Sequence, residues 1–375
     1  MYDLTLTDEQ TALIELIHAF AERELRPLAR DAEKAKWVPP ALAKGIQELG
    51  VACPIPESVG GQGVPDLVTY LMIAEELAWG DPGIAYAALG SGHAALLIAL
   101  CGSPEQQRRL LPRFLQAEPL AASVWLYEGF GRQPSELRTS AERSASQWTL
   151  SGEKALVLHP GAAELAVIIA RRADTQEPAA FLLEGPASGV RVTRDDREVG
   201  KLGLLSAHTG KVALAGVELP GSALLGDGDP LLLAEAIAKV RLTVPALALG
   251  CARAALEFAR HYATERIAFG RPISAFQGVA FPIADQDMEI DAARLELWEV
   301  ARAVEQSNDA LLTERLTSCA VARSCETALT ATREAVQTLG GHGFITEYPV
   351  ERWYRCAAAL AAIDFDPTAS TVSFL

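Results

Sequence analysis

A group of arginine, aromatic and amide side chains stands between two long segments of helical periodicity near position 270. Arg266, Phe269 and Gly270 follow the end of one segment, and Gln277 opens the next. A guanidinium forms paired hydrogen bonds to phosphate oxygens, and a glutamine amide can bind a sugar hydroxyl. The pattern therefore indicates a site for a pyrophosphate and a sugar. The alternative is a plain helical hairpin, with its cation at the negative end of a helix.

Glycines cluster at a second point, after the helical segment that ends near position 340. Gly340, Gly341 and Gly343 precede Pro349 in a stretch with the composition of a loop. Glycine leaves backbone N–H groups unshielded, so a phosphate can approach them closely. The same glycines also suit a helix C-cap followed by a turn. Taken alone, this cluster does not distinguish a phosphate-binding backbone from a helix end followed by a turn.

Other kinds of catalytic centre find no support in the sequence. The six histidines show no H-x-x-x-H spacing and no cluster with cysteine, so we expect no metal site. No G-x-S-x-G motif occurs, and no cysteine stands in an obvious low-pKa setting. The six cysteines are scattered without a C-x-x-C pair, which predicts reduced thiols and a cytoplasmic location.

Composition excludes further classes of protein. The chain has 375 residues, of which 50% are hydrophobic and 22% charged, which excludes a disordered protein. The net charge is −15 without any block of lysine and arginine, so we expect no nucleic-acid partner. The first residues lack the basic and apolar regions of a secretory signal. No apolar run approaches 18 residues, so we predict no membrane span.

The elements that must position these residues fall into three regions of different texture. Residues 1–119 show helical periodicity, beginning with a capping box formed by Thr7 and Gln10. Residues 120–228 break into short apolar runs separated by Gly, Pro and Asp, which is typical of strands and turns. Residues 229–375 hold four long periodic segments, at 231–266, 277–307, 311–340 and 350–362. We predict an α+β, mainly helical protein: an N-terminal helical domain, a central β domain and a C-terminal four-helix bundle.

The predicted strands lie at 148–152, 165–170, 180–183, 189–193, 211–214 and 216–220. Strands and helices are segregated along the chain and do not alternate. A parallel sheet of βαβ units, and with it a Rossmann nucleotide fold, is therefore not expected.

Several spaced motifs, in this order, resemble the C-terminal half of acyl-CoA dehydrogenases. They are Arg266-x-x-Phe269-Gly270 with Phe276-Gln277, then Gln337-x-Leu339-Gly340-Gly341, then Tyr348-Pro349-x-Glu351-Arg352. The helix–strand–helix order matches that family over nearly the whole chain. The resemblance implies FAD as the cofactor and an acyl-CoA thioester as the substrate. In that family a glutamate removes the α proton and the flavin accepts the β hydride.

The family residues that hold the flavin of a chain's own site are altered here. The usual Gly-Ser-Asp is absent from positions 126–135, and Leu158 stands where the family has a hydroxyl. One family position for the catalytic glutamate is Val240, and ungapped counting places Asp364 at the other. A general base needs close contact with its proton, and aspartate is one methylene shorter than glutamate. We therefore expect no catalytic residue in this chain, and a surface or capping role for Asp364.

The family residues that contact the flavin of a neighbouring subunit are all present, and the resemblance assigns substrate binding to Arg241. The retained flavin-contacting residues are Arg266, Phe269, Gln277, Gln337, Gly340 and Gly341. The residues for a chain's own flavin are altered while those for a neighbour's flavin are kept, which indicates a subunit of a hetero-oligomer. We expect an α2β2 assembly whose homologous partner subunit carries the catalytic base. The resemblance further implies CoA thioesters of sterol side chains as a substrate class. Two alternatives stay open: a self-sufficient homotetramer with a relocated base, and a non-catalytic structural or binding protein.

Overall fold

The computed structural model describes residues 5–129 and 136–364, and the chain begins there with packed helices. The predicted capping box is present, because the Thr7 hydroxyl accepts from the Gln10 N–H at 3.1 Å and the Gln10 side chain accepts from the Thr7 N–H at 3.1 Å. A wide π-helical turn, Ala21–Leu25, joins the first two helices. The helices are α1 (Asp8–Phe20), α2 (Arg26–Ala35), α3 (Pro40–Glu48), α4 (Leu67–Gly80), α5 (Pro82–Cys101) and α6 (Pro104–Leu110).

The last of these helices is shorter than its sequence predicts. Periodicity indicates one helix over 104–114, but α6 ends at Leu110 and a 3-10 helix, Leu111–Leu115, follows. Pro112 explains the change, because proline has no N–H to continue the α-helical hydrogen bonds and its ring clashes with the preceding turn.

A mixed sheet follows, with seven strands in the described part of the chain, and its order is β1-β4-β2-β3-β7-β6 with β5 paired to β4. The pairs of β4 with β1 and with β2 are parallel, and the other pairs are antiparallel. The one-turn helix α7 (Asp196–Val199) lies between β6 and β7. The strands are β1 (Ala122–Trp125), β2 (Ser140–Ser144), β3 (Gln147–Leu158), β4 (Leu165–Arg172), β5 (Pro178–Glu184), β6 (Val190–Asp195) and β7 (Thr209–Pro220).

Two of the predicted strands, at 211–214 and 216–220, form the single strand β7. Gly216 lies within it at a φ of +66°, beside a shift in register against β3 between Leu150 and Gly152. A positive φ suits glycine, and such a bulge bends a strand without ending it. The turn-like composition at this point therefore marks a bulge and not a strand end.

The C-terminal region consists of long helices, each beginning and ending within two residues of the prediction. Asp229 and Asp309 accept hydrogen bonds from the first N–H groups of two of them. The helices are α8 (Pro230–Glu265), α9 (Gln277–Gln306), α10 (Ala310–Leu339) and α11 (Val350–Leu360). The two-residue strands β8 (Ile267–Ala268) and β9 (Arg271–Pro272) join α8 to α9. The mainly helical architecture with a central sheet is as predicted.

Helices α5 and α8 occupy the centre of the molecule. By length and composition α5 could cross a membrane, but 72% of its most apolar window is buried inside the fold. Its apolar character is therefore that of a core helix, packed against α4, α8 and β1. The middle of α8 is buried in the same way, and this places Val240 and Arg241 in the interior.

Candidate functional site

The first candidate motif forms a tight hairpin at one end of the helical bundle. Arg266 caps α8, and the pairing of β8 with β9 places Phe269 and Gly270 in a two-residue turn. Both turn residues have positive φ, +52° and +81°, as a type I′ turn requires. A bulky residue adopts this conformation at a cost. The Phe269 ring is nevertheless 96% exposed, and it meets the Phe276 ring edge-on with 6.2 Å between the ring centroids.

The glycine cluster forms the neighbouring turn. Helix α10 ends at Leu339, and a 3-10 helix, Gly340–Phe344, follows with Gly340 at a φ of +56°. A hydrogen bond of 2.9 Å between the Tyr262 hydroxyl and His342 Nδ1 connects this turn to the last turns of α8. A Cβ added at Gly340 or Gly341 would meet open space. Both motifs therefore lie at the same end of the bundle, with exposed backbone between exposed side chains.

All six predicted flavin-contacting residues are exposed at this end of the bundle. The side chains of Arg266, Gln277 and Gln337 form no hydrogen bond with another residue in the described part of the chain. A guanidinium and two amides, next to glycine backbone, suit the oxygens of a diphosphate and the hydroxyls of a sugar. We define this set, Arg266, Phe269, Gln277, Gln337, Gly340 and Gly341, as the flavin-facing end.

A second region, the cleft between β3, α5 and α8, is nearly filled by its own side chains. Its cavity has a volume of about 30 Å³ and is lined by residues that include Leu158 and Val240. A cavity of this size holds one or two waters, whereas sites for organic ligands span about 300–1,000 Å³. Leu158 packs directly on the backbone of Gly90, where an added Cβ would overlap its Cδ1 atom. The complete lining is Tyr86, Gly90, His93, Val124, Leu126, Tyr127, Leu156, Leu158, Val240, Thr243 and Val244.

Arg241 and Asp364 form a buried ion pair beside this cleft. Arg241 Nε lies 2.9 and 3.1 Å from the two carboxylate oxygens, and Nη2 lies 2.8 Å from Oδ2. The Tyr127 hydroxyl donates to Oδ1 at 3.3 Å, and Arg241 Nη2 donates to Ser318 Oγ at 3.0 Å. Asp364 is 3% exposed, so the expected surface or capping role was wrong. The substrate-binding role of Arg241 stays a prediction.

Burial and charge act in opposite directions on this pair. Burial lowers the pKa of the Arg241 guanidinium, but the charge of Asp364 and its hydrogen bonds outweigh burial and raise that pKa above the ordinary value. Burial, together with Asp364, raises the pKa of Tyr127 well above its ordinary value. The guanidinium therefore stays charged, the phenol stays neutral, and both carboxylate oxygens are held by donors.

A further buried pair, Glu128 with Lys154, was missed by sequence reasoning. Lys154 Nζ lies 3.1 Å from Glu128 Oε1, and the same carboxylate accepts the N–H groups of Arg138 and Thr139 at 2.8 Å. Burial lowers the pKa of Lys154 to about 8. The pair fixes the chain where it enters residues 130–135. Those residues, and the predicted Gly-Ser-Asp equivalent within them, lie outside the described residues.

The closed cleft does not fit FAD. Leu158 offers no hydrogen bond, Tyr127 and Leu158 fill the space, and Asp364 is held by Arg241. The flavin-facing end does fit part of the cofactor, because its donors and open backbone suit the diphosphate and adenosine portions. Neither the contact between Tyr127 and Asp364 nor that between Arg241 and Asp364 has a local sequence signal, since the partners are 237 and 123 positions apart.

Comparison with known proteins gives the same family for the N-terminal and the C-terminal regions of the chain. Residues 7–118 match the family model for the acyl-CoA dehydrogenase N-terminal domain, and residues 230–364 match that for the C-terminal domain. An acyl-CoA dehydrogenase of Bacillus subtilis is 32% identical, over 94% of this chain and 93% of the relative. Benzylmalonyl-CoA dehydrogenase of Aromatoleum aromaticum is 30% identical, over 94% of this chain and 93% of the relative.

Solved structures agree with these relatives. Butyryl-CoA dehydrogenase from Megasphaera elsdenii superimposes with a TM-score of 0.87 at 26% identity, covering 99% of this chain and 98% of that one. A glutaryl-CoA dehydrogenase from Mycobacterium smegmatis in complex with FADH2 gives 0.84 at 25% identity, covering 98% and 94%. The chain therefore belongs to the acyl-CoA dehydrogenase family, whose members bind FAD and dehydrogenate acyl-CoA thioesters.

Proposed function

We propose that this chain is the non-catalytic subunit of a hetero-oligomeric, FAD-dependent acyl-CoA dehydrogenase, assembled as α2β2. A homologous partner subunit carries the catalytic base and the residues that hold its own flavin. This chain contributes its flavin-facing end to the partner's cofactor. On resemblance alone, the substrate class is CoA thioesters of sterol side chains.

The contrast between the two half-sites carries the proposal. The flavin-facing end is intact in residue type and exposed in position. The cleft of the same chain has a volume of about 30 Å³, with Leu158 against Gly90 and Asp364 held by Arg241. Loss without selection would affect both half-sites alike. A chain that only assists a partner's cofactor needs the exposed half-site and not the buried one.

An exposed apolar stripe on α9 supports an oligomer. Phe281, Met288 and Leu295 recur every seven residues, which places them along one line of the helix, and they are 57%, 64% and 42% exposed. Exposed apolar surface of this kind, next to the flavin-facing end, marks a surface that another chain covers. The stripe and the flavin-facing end together suit one partner.

The two alternatives fit these observations less well. A self-sufficient homotetramer needs a flavin cleft and a free base, whereas Tyr127 and Leu158 fill the cleft and Asp364 is paired. Robust acyl-CoA oxidation by the isolated chain, abolished in an Asp364→Asn variant whose circular dichroism and unfolding show that it still folds, would establish that alternative. A purely structural role gives no reason for the guanidinium and amides at the flavin-facing end, and it predicts no flavin change in the variants below.

The test is the flavin content of the complex formed when this chain is co-expressed with a homologous chain that retains the family's Gly-Ser-Asp and catalytic glutamate. Arg266→Ala removes one charged contact, which costs about 1.5–3 kcal/mol, or roughly ten- to a hundredfold in FAD affinity. We expect bound flavin to fall and the fold of this chain to stay intact. Arg260→Ala is the matched control, because Arg260 is also an exposed arginine and its nearest carboxylate, Asp287, is 3.9 Å away.

Leu158→Ala tests the buried half-site in the same assay. It should leave flavin content unchanged, since we assign no flavin to the cleft that Leu158 fills. Loss of flavin in Leu158→Ala with retention in Arg266→Ala would mean that the two half-sites are assigned the wrong way round.

A further inference from the structure

Arg271 is a second exposed arginine in the hairpin that joins α8 to α9, and it is not part of the flavin-facing end. Its guanidinium carbon lies 4.2 Å from the centre of the Phe276 ring. An aromatic face attracts a cation at this distance. Stacking uses the flat face of a guanidinium and leaves the N–H groups at its edge available as donors. Among the described residues, the Arg271 guanidinium has no ion-pair or hydrogen-bond partner.

The register of the hairpin places Arg266 and Arg271 on the same face. Ala268 pairs with Arg271, and the Ile273 N–H donates to the Arg266 carbonyl oxygen at 2.9 Å. Arg266 has an extended backbone, so Arg266 and Ala268, two positions apart, point to one face. Arg271 lies directly opposite Ala268 and points to that face too. Arg266 and Arg271 are therefore diagonal neighbours, about 7–8 Å apart, with only the Ala268 methyl group between them.

The two guanidinium groups of this face carry positive charge that no carboxylate neutralises in the described part of the chain. Glu265 is next to Arg266 in sequence, but its carboxylate lies 3.3 Å from His261 Nε2. The first turn of α9 has no acidic residue. Two unpaired cations side by side are unusual in a chain with a net charge of −15. An anion with charge on two neighbouring groups, such as a diphosphate, would bind both cations and remove their repulsion.

We propose that Arg271 is a further cofactor-binding residue, which binds the diphosphate of the partner subunit's FAD together with Arg266; this assignment rests on the proposed function. Phe276 is a positioning residue, because its ring orders the Arg271 guanidinium. Phe269 meets the same ring edge-on, with 6.2 Å between the ring centroids. The tip of the hairpin and the start of α9 thus form one aromatic support for the second cation.

The measurement is the affinity of the co-expressed complex for FAD, by fluorescence titration after the cofactor has been removed. Arg271→Gln removes the charge and should weaken FAD binding about tenfold, the lower end of what one charged contact is worth. The difference from wild type should narrow as the salt concentration rises, because salt screens exposed charges. Arg260→Gln, the same change at an exposed arginine of α8, is the matched control and should bind FAD like wild type.

Conservative variants separate charge from support. Arg271→Lys keeps the charge without the planar guanidinium, so its FAD affinity should lie between those of wild type and Arg271→Gln. Phe276→Leu keeps Arg271 but removes the ring, and should weaken FAD binding by a factor of roughly two to five, the worth of an exposed cation–π contact. Phe276→Tyr keeps a ring and should restore wild-type affinity. Equal affinity in Phe276→Leu and Phe276→Tyr would overturn the positioning role of the ring.

The outcomes distinguish this assignment from the proposed function. Wild-type FAD affinity in Arg271→Gln, with a loss in Arg266→Ala, overturns the role of Arg271 and leaves the proposed function supported. Wild-type affinity in both variants overturns both. Two further results in Arg271→Gln also overturn the assignment. Weaker assembly with unchanged FAD affinity would show that Arg271 pairs with a carboxylate of the partner subunit. A raised KM for acyl-CoA with unchanged FAD affinity would show that it binds the diphosphate of CoA.

Discussion

Arg241 and Asp364 hold each other in the interior through two guanidinium nitrogens and two carboxylate oxygens, although 123 positions separate them in the chain. The side chains are each 2% exposed. The pair connects the middle of α8 to the end of the described chain after α11. Family resemblance aligns Asp364 with a catalytic base, but Arg241 binds both of its carboxylate oxygens.

Asp364→Ala should destabilise the chain by about 3–5 kcal/mol, because it leaves the Arg241 charge buried without its partner. The free energy of unfolding in urea measures this loss. A double variant, Arg241→Met with Asp364→Leu, removes both charges and should lose less stability than Asp364→Ala alone. Equal or larger loss in the double variant would show that packing and not charge explains the effect.

Glu75→Gln should lower the free energy of unfolding by about 3 kcal/mol, because it disrupts a buried network that joins α4 to α8 and α9. Glu75 is 4% exposed and accepts hydrogen bonds of 2.9–3.1 Å from Arg294 and 3.1 Å from Arg253. Glu289→Gln is the matched control, since the pair of Glu289 with Arg323 is 47% and 42% exposed. Its effect should stay below about 1 kcal/mol.

Stability should fall as the pH is lowered from 6.5 towards 4, partly because of His93. Burial lowers the pKa of His93 from 6.5 to about 4. The unfolded state therefore binds a proton in this window while the folded state does not. The contribution of His93 to the free energy of unfolding is fully present above pH 6.5. It falls by about 3 kcal/mol in total as the pH is lowered to 4.

His93→Gln measures that contribution. Glutamine retains a donor for the Thr243 hydroxyl oxygen, which lies 3.1 Å from His93 Nε2. The variant should show a shallower dependence of unfolding free energy on pH between 6.5 and 4. An unchanged slope would place the acid sensitivity in other groups, such as His159 and His208.

Met288→Glu should weaken assembly with the partner subunit, because it places a carboxylate in the middle of the apolar stripe on α9. Burying an unpaired charge at an interface is costly. Light scattering after gel filtration of the co-expressed complex measures the change. Lys34→Glu, an exposed charge change on α2, is the control and should leave the assembly intact. Assembly that tolerates Met288→Glu would exclude this stripe from the interface.

The helices of the C-terminal region were predictable to within two residues because strong local signals mark their ends. Asp229 and Asp309 begin α8 and α10, and Gly340 ends α10. The strands were less predictable. Strand β1 has four residues and β2 is mostly exposed, so neither shows a clear alternation, and both were missed. Gly216 in β7 and Pro112 after α6 act through local backbone geometry that composition describes only in part.

The candidate site shows the same difference between features that the sequence predicts and features that it does not. Residue types identified the flavin-facing end, because its motifs are contiguous and their spacing is short. Sequence could not show that Tyr127 and Leu158 close the cleft, or that Asp364 meets Arg241, since these contacts depend on how distant segments pack. His159 and His208 come together through the pairing of β3 with β7, and each is solitary in the sequence.

The closed cleft also limits how this chain can change over generations. Leu158 on β3, Tyr127 after β1 and the Arg241–Asp364 pair fill one region from separate segments. A threonine at position 158 would still face Tyr127, and a smaller residue at position 127 would remove a hydrogen bond from a buried carboxylate. Neither change alone would open the cleft, because the other side chains would still fill it. A binding site in this cleft is therefore regained only through several substitutions at once, so a chain whose cleft has closed in this way does not reopen it by single changes.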